Sequence, residues 1–398
     1  MIKLSDRALE LQFSPIRKLM PEATKAKERG IKIYHLNIGQ PDIESPKIFL
    51  QKVKEFDEKV VVYEKSEGNS LLRSSLAEYY QRLDLNIKSE DIVVTTGGSE
   101  GLWMIFFILF NSGDECLTFD PTYTNYLTFS KLNGVNLRAV PTTLADNFNL
   151  PSMEIIKQAV TKKTKAILIT NPSNPTGAVY SKKLLDELVE FCVRNNLYII
   201  SDETYREFVY SGPKAVSLLS YKQAEKLTVV VDSLSKRYSL CGARLGMLVS
   251  KNKEILEAAN KIAQARLASG TIEQYAASFL LEVEPNYFET IKREYQHRRD
   301  VLIKGLEKIK GVKVSHPDGA FYLIAELPVK SAEDFCLFLL KEFEDKKETV
   351  MLAPAEGFYI TPGLGKSQVR IAYVIESKAL ERACELISKG LTAYHNRA

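Results

Sequence analysis

Between Asp91 and Val249, seven short apolar runs alternate with stretches of helical periodicity, and this alternation narrows the possible folds more than any other feature of the chain. The runs are 92–95, 115–118, 137–140, 166–169, 197–200, 228–231 and 245–249. Each is too short for an ordinary helix and most are rich in Val, Ile and Leu, which suits strands buried on both faces. Parallel strands need crossovers of a dozen or more residues, and the helical stretches supply them. The pattern predicts an α/β fold: a large domain with a seven-stranded, mostly parallel sheet covered by helices. In such sheets ligands bind outside the carboxyl ends of the strands.

At 398 residues the chain is longer than one hydrophobic core ordinarily serves, so a second domain is expected. Residues 251–310 are helical in pattern, with a break at Pro285. Beyond them strands are expected near 312–315, 321–325, 349–352 and 368–374, and helices at 332–343 and 378–391, giving a smaller α+β domain. The expected division is 1–45 for an N-terminal arm packed with the small domain, 46–285 for the large domain and 286–398 for the small one. The net charge of +4, from 54 basic and 50 acidic residues spread along the chain, argues against nucleic acid or membrane as the main partner. Residues 1–13 mix charges with apolar side chains and read as neither signal peptide nor anchor. The five cysteines form no Cys-x-x-Cys pair, which suits buried free thiols in a reducing, cytoplasmic setting. The four histidines are scattered singly, so no metal site is expected.

The chemistry-bearing residues follow the strands. After 228–231 comes Asp232-Ser233-Leu-Ser235-Lys236-Arg237-Tyr-Ser-Leu-Cys241-Gly-Ala243-Arg244-Leu-Gly246. A lysine among hydroxyls and arginines is either a solvated loop residue or an amine tuned to attack a carbonyl beside an anion. Gly97-Gly98-Ser99-Glu100-Gly101 opens a helix after 92–95, either a tight turn or a cradle for an anion at a helix N-terminus. Asp120-Pro-Thr-Tyr123 offers a ring that packs in the core or stacks on a flat ligand. Asn171-Pro-Ser-Asn174-Pro-Thr-Gly177 is an unusually restricted turn, and the Asn174 amide can both donate and accept. Asp202, followed by Glu-Thr-Tyr205, ends the run 197–200 as either a helix cap or a semi-buried acid needing a partner. Arg370 alternates with Val369 and Ile371 in a short strand, as a carboxylate ligand or as an edge residue facing water.

The lysine segment resembles the Schiff-base lysine segment of fold-type I pyridoxal-phosphate aminotransferases of class I and II, Ser-x-Ser-Lys-x-(Phe/Tyr)-x-x-x-Gly-x-Arg-x-Gly, at every specified position. The other motifs match in the family's order, joined by Asn37-Ile-Gly39-Gln-Pro41-Asp42 and Tyr63-Glu-Lys-Ser-Glu-Gly68-Asn-Ser-Leu-Leu72-Arg73. The resemblance implies pyridoxal 5′-phosphate carried on Lys236, with Gly98, Ser99, Ser233 and Arg244 among the cofactor ligands. It implies Tyr123 stacked on the ring, Asn174 and Tyr205 at its phenolic oxygen and Asp202 at its nitrogen. It gives Gly39, Asn174 and Arg370 to the substrate carboxylate, and sends Tyr63 to the cofactor phosphate of a second subunit, hence a homodimer. The implied reaction moves an amino group from an L-amino acid to a 2-oxo acid by a ping-pong route, with aspartate and 2-oxoglutarate as first choices. Aromatic amino acids, alanine, or a lyase or synthase reaction on the same cofactor are the alternatives. Ser99 stands where one aspartate-specific branch has a lysine that grips the distal carboxylate, and Ala243 where many relatives have an aromatic. Distal recognition is therefore expected from elsewhere, with Ser14-Pro-Ile-Arg17 as a candidate segment.

Overall fold

The structure is a computed structural model that describes residues 3–9, 11, 13–212 and 214–397, so part of the charged segment 1–13 lies outside the described residues. Its strands are β1 (Lys32–His35), β2 (Ile92–Thr96), β3 (Glu115–Asp120), β4 (Asn136–Pro141), β5 (Thr164–Thr170), β6 (Tyr198–Asp202), β7 (Thr228–Ser233), β8 (Leu245–Ser250), β9 (Lys313–Val314), β10 (Tyr322–Glu326), β11 (Glu348–Met351), β12 (Ala353–Pro354) and β13 (Gln368–Ala372). β2 to β8 form the seven-stranded sheet, in the order β2-β8-β7-β6-β5-β3-β4. All pairs are parallel except those of β8, which runs antiparallel to both neighbours.

Period-two alternation sorts the sheet's side chains into two layers. Ile167, Ile169 and Ile199 pack with Leu185, Leu188, Val189 and Cys192 of the helix Lys182–Arg194. Those four recur at the i, i+3, i+4, i+7 spacing of an amphipathic helix, started by a Ser181 cap that accepts from the Leu184 N–H. Ala166, Leu168, Ile200, Val229 and Val231 face the other way, onto the helices Gly97–Leu109 and Lys253–Arg266. Fully burying each such aliphatic side chain contributes roughly 1.5–3 kcal/mol.

The C-terminal part holds an antiparallel sheet, β12-β13-β10-β9, and the parallel pair β1-β11. The pairing of β1 with β11 sets the N-terminal segment against this part. The helical run after 251 has a break that sequence reading missed. It divides into Lys253–Arg266, Thr271–Ala277 and Tyr287–Glu307, the first ending at Leu267 with φ of 80°. The Arg266 guanidinium and the Gln274 amide bind the Ser269 hydroxyl and carbonyl there, so side-chain partners stabilise a turn that no Pro signals.

The loop after β7 is anchored from below. Ser233 caps the short helix Leu234–Arg237, accepting from the Ser235 N–H at 3.1 Å. Arg237, read from sequence as a neighbour of the lysine beside an anion, instead turns inward. It is 1% exposed, pairs with both carboxylate oxygens of Asp232 and lies over the Tyr79 ring. Tyr80 also donates to Asp232, at 2.9 Å, and Arg206 pairs with Glu203 alongside. Burial is the largest influence and works against the Arg237 charge, but Asp232 together with Tyr79 and Glu207 outweighs it, and the guanidinium's pKa lies above its usual range. Removing one partner of a buried pair strands the other charge. Arg237→Met should lower unfolding free energy by about 3–5 kcal/mol, seen as a shifted denaturant midpoint; an unchanged midpoint would show that the network does not hold the loop.

Candidate active site

The carboxyl ends of β5, β6 and β7 bring the Asn174 loop, Asp202 and Lys236 together, as the sheet topology requires. A cavity of about 240 Å³ opens there, with Gly39, Tyr123, Asn174, Tyr205, Lys236 and Arg370 in its walls. Lys236 is half-buried and its Nζ donates to the Gly39 carbonyl at 2.7 Å, with the Cys241 Sγ 3.7 Å away. Cys241 is half-buried, unlike the other four cysteines, which are buried as expected.

Arg370 forms the opposite anchor. β13 lies between β12 and β10, so this is no edge position, and the residue is 1% exposed. Val369 and Ile371 point into the core on the other face. Arg370 Nη1 donates to Asn174 Oδ1 at 3.2 Å and Nη2 to the Asn37 carbonyl at 2.5 Å, while Nε has no partner. The guanidinium sits 4.4 Å from the Tyr322 ring centroid and 4.9 Å from that of Phe358. Burial pulls its pKa down, yet an arginine keeps its charge in proteins. Asn174 also reaches Tyr205 Oη at 3.5 Å, and Tyr205 shares a 2.9 Å hydrogen bond with Tyr322. A Cβ on Gly39 would collide with the Tyr322 hydroxyl, so glycine is what lets the two segments meet.

Asp202 is 6% exposed and accepts from Tyr126 Oη at 2.6 Å and from the Thr204 N–H at 3.1 Å. It thus caps the following turn and is a buried acid as well. Burial raises its pKa despite these two bonds. Tyr123 lies beside it, edge-on to Tyr126 with centroids 5.5 Å apart, and burial pushes its phenol up to about 12.

A second cluster joins the glycine turn to the lysine loop. Gly97 has φ of 74° and the Arg244 guanidinium lies against it; Gly246 packs on the peptide between Gly97 and Gly98. Gly98 faces Ser233, and Ser99 follows it in the first turn of the helix. The Thr96 side chain does not cap that helix, whose first N–H groups have no acceptor within it. Arg244 itself is left-handed, φ 53° and ψ 45°, a strain found at binding sites. Tyr63 stands apart from both clusters, 79% exposed. Sequence reading gave no role to Tyr126, Tyr322, Asn37 or Phe358. The i, i+3 spacing of Tyr123 and Tyr126 could have signalled Tyr126, and Asn37 stands in the motif Asn37-Ile-Gly39-Gln-Pro41-Asp42.

The family described as aminotransferase class I and II matches residues 31–387. The aspartate aminotransferase of Thermotoga maritima is 33% identical over 386 residues, covering 95% of this chain and 97% of the relative. Among solved structures, the Thermus thermophilus aspartate aminotransferase with maleate superposes with a TM-score of 0.89 at 27% identity, covering 98% of this chain and 100% of the other. The Pyrococcus furiosus alanine aminotransferase does so with a TM-score of 0.89 at 30% identity, again over 98% and 100%.

The Asp202 environment has a measurable consequence. Its pKa is raised in the folded chain, so the folded state keeps its proton where the unfolded state has lost it. That contribution is fully present below the ordinary aspartate range and is lost as pH climbs through the folded value. In ligand-free protein the stability of the parent relative to Asp202→Asn should therefore fall as pH rises from about 4, measured by urea unfolding at a series of pH values. A difference that is flat or grows with pH would mean that Asp202 is ionised at no cost.

Proposed function

We propose, since this chain belongs to the class I and II aminotransferases, that it transfers the amino group of L-aspartate to 2-oxoglutarate with pyridoxal 5′-phosphate as its cofactor. The observation that carries this reading is one cavity holding the Lys236 amine at one wall and the buried, incompletely partnered Arg370 guanidinium at another. The residues present fit the cofactor. The uncapped N-terminus at Gly97, Gly98 and Ser99, with Ser233 and Arg244 beside it, suits a phosphate. The Tyr123 ring suits a flat heterocycle, and the buried Asp202 carboxyl suits a ring nitrogen.

When bound, the cofactor supplies an electron sink for the bond broken at Cα. Lys236 is the residue to carry it, and its amine is the base that moves the Cα proton. Arg370 and Asn174 hold the α-carboxylate, the guanidinium by a two-pronged contact that fixes which Cα bond faces Lys236. The Gly39 backbone closes that side. Asn174 and Tyr205, already 3.5 Å apart, offer donors to the phenolic oxygen. Asp202 keeps the ring nitrogen protonated. Tyr63 is exposed together with Val60, Val61 and Val62, an apolar patch that supports a homodimer in which this tyrosine reaches the cofactor phosphate of a second copy. Its free cysteines suit the cytoplasm, and among the described residues no helix is long and apolar enough to cross a membrane.

Borohydride treatment of the purified protein, followed by peptide mapping, should place the cofactor on Lys236, and Lys236→Ala should abolish transfer. Label on another lysine, or turnover in Lys236→Ala, would sink the assignment. Shared sites make a second outcome testable. Tyr63→Phe/Arg73→Ala and Lys236→Ala chains, each inactive alone, should regain activity when refolded together, because one site of the hybrid is then intact. No recovery in proven hybrids would refute the crossed contribution.

A further inference from the structure

We infer that Cys241 is a positioning residue for Lys236. Whenever the lysine is free of the cofactor, the Cys241 sulfur accepts from its amine and, with the Gly39 carbonyl, holds that base in place for the Cα proton. This rests on reading the cavity as an aminotransferase site with Lys236 as its base.

A lysine released from a covalent bond has a long, flexible stem and many rotamers, so an unheld amine rarely sits where a proton must be taken. Its head brings up to three N–H donors. Lys236 Nζ donates to the Gly39 carbonyl at 2.7 Å. None of the residues lining the cavity is acidic, so no carboxylate there draws the amine elsewhere. Its second partner is the Cys241 sulfur, at 3.7 Å. The sulfur turns an accepting face to it. A thiol carries one hydrogen, and that of Cys241 goes to the Ser235 carbonyl at 3.3 Å. What remains on the sulfur can only accept, so Nζ and Sγ meet as donor and acceptor. Cys241 is not among the residues that line the cavity. A substrate there meets Lys236 and Gly39, and the sulfur acts only through the amine.

The backbone holds Cys241 in place whatever its side chain does. The Leu240 N–H donates to the same Ser235 carbonyl at 3.1 Å, and the Ala243 N–H to the Leu240 carbonyl at 3.1 Å. The Ser45 hydroxyl donates to the Ser239 carbonyl at 2.9 Å. Arg244 Nη1 returns to the Cys241 carbonyl at 2.9 Å. A change of side chain at 241 therefore leaves the loop where it is. The turn Cys241–Ala243 also leads into the left-handed Arg244. One short stretch thus sets both the place of the amine and that of the cation beside the glycine turn.

One arm of the test needs no turnover. o-Phthalaldehyde condenses with an amine and a thiol in contact to give a fluorescent isoindole, with loss of water. The cofactor-free parent should become fluorescent, and peptide mapping should place the isoindole between Lys236 and Cys241. The other four cysteines are buried and should stay unlabelled. Prior loading with pyridoxal phosphate should protect, and Cys241→Ala should give no product. The second arm follows the holoenzyme with whichever of aspartate, alanine and phenylalanine the parent converts fastest. Cys241→Ala should lower kcat by about 3- to 10-fold with KM changed by less than about twofold. The rate effect of deuterium at Cα should grow, because proton transfer becomes the slower step. Cys241→Ser should recover most of the rate, since its hydroxyl can donate to Ser235 and accept from Nζ in the same way. No isoindole between residues 236 and 241, or a Cys241→Ala enzyme with the parent's rate and deuterium effect, would overturn the inference. If the parent transfers no amino group from any of the three, the aminotransferase reading fails instead, and the isoindole alone still decides whether Cys241 holds the amine.

Discussion

A buried guanidinium on β13 organises this molecule. Taking an arginine out of water costs several kcal/mol unless its charge and its N–H groups are met. Here they are met from three directions: the Asn37 carbonyl from the N-terminal segment, Asn174 from the loop after β5, and the faces of Tyr322 and Phe358 from the C-terminal part. Each contact ties a separate stretch of chain to the same atom group. The match is incomplete, because Nε stays without a partner and burial lowers the group's pKa. That shortfall leaves hydrogen-bonding capacity on a buried cation at the cavity wall, where a closed ion-pair core would have none to spare.

The close approach around it depends on small residues and on one acid used as a fastener. Gly39 admits the Tyr322 hydroxyl, which no side chain there would allow. Asp120, at the end of β3, accepts from the N–H groups of Ile360 and Thr361, both at 2.8 Å, while Thr122 donates to the Phe358 carbonyl at 2.7 Å. The segment carrying Phe358 is thereby docked on the large sheet. Residues far from any reacting atom set where the Arg370 charge sits.

The large sheet was legible from sequence because its strands are buried on both faces, and continuous apolar runs between helices admit few other structures. All seven runs are strands; six are extended by a residue or two at one or both ends, and the run 197–200 is shifted to 198–202. β1 and β12 were not legible. β1 is mostly half-exposed and β12 has only two residues, so neither carries a periodic signal and both depend on pairing with distant chain. The break after Leu267 was missed although Ser269-Gly270 marks a turn and Gly270 precedes the next helix, because the helical periodicity on either side masked so short a signal. In the site, residue identity pointed to Lys236, Asn174, Asp202 and Arg370, but not to what surrounds them. Arg237 sits next to Lys236 in sequence, yet a four-residue helix turns it to the opposite side.

Two acids at the ends of neighbouring strands show why such distinctions need coordinates. Asp202 ends β6, and Asp232 lies one residue before the end of β7. Both are buried and both follow an apolar run, so sequence treats them alike. Asp232 has a guanidinium on both of its oxygens and a phenol besides, and its charge is spent on holding the loop. Asp202 has a phenol and one N–H but no cation, with Asp232 adding to the burial that raises its pKa. An acid saturated by a buried cation cannot respond to a ligand without breaking the fold. An acid left short of one can accept a cationic or proton-bearing ring beside it and gain stability in doing so. The supply of partners, not the residue type, separates the two: Asp232 is saturated by a buried cation beneath the lysine loop, and Asp202 is left without one.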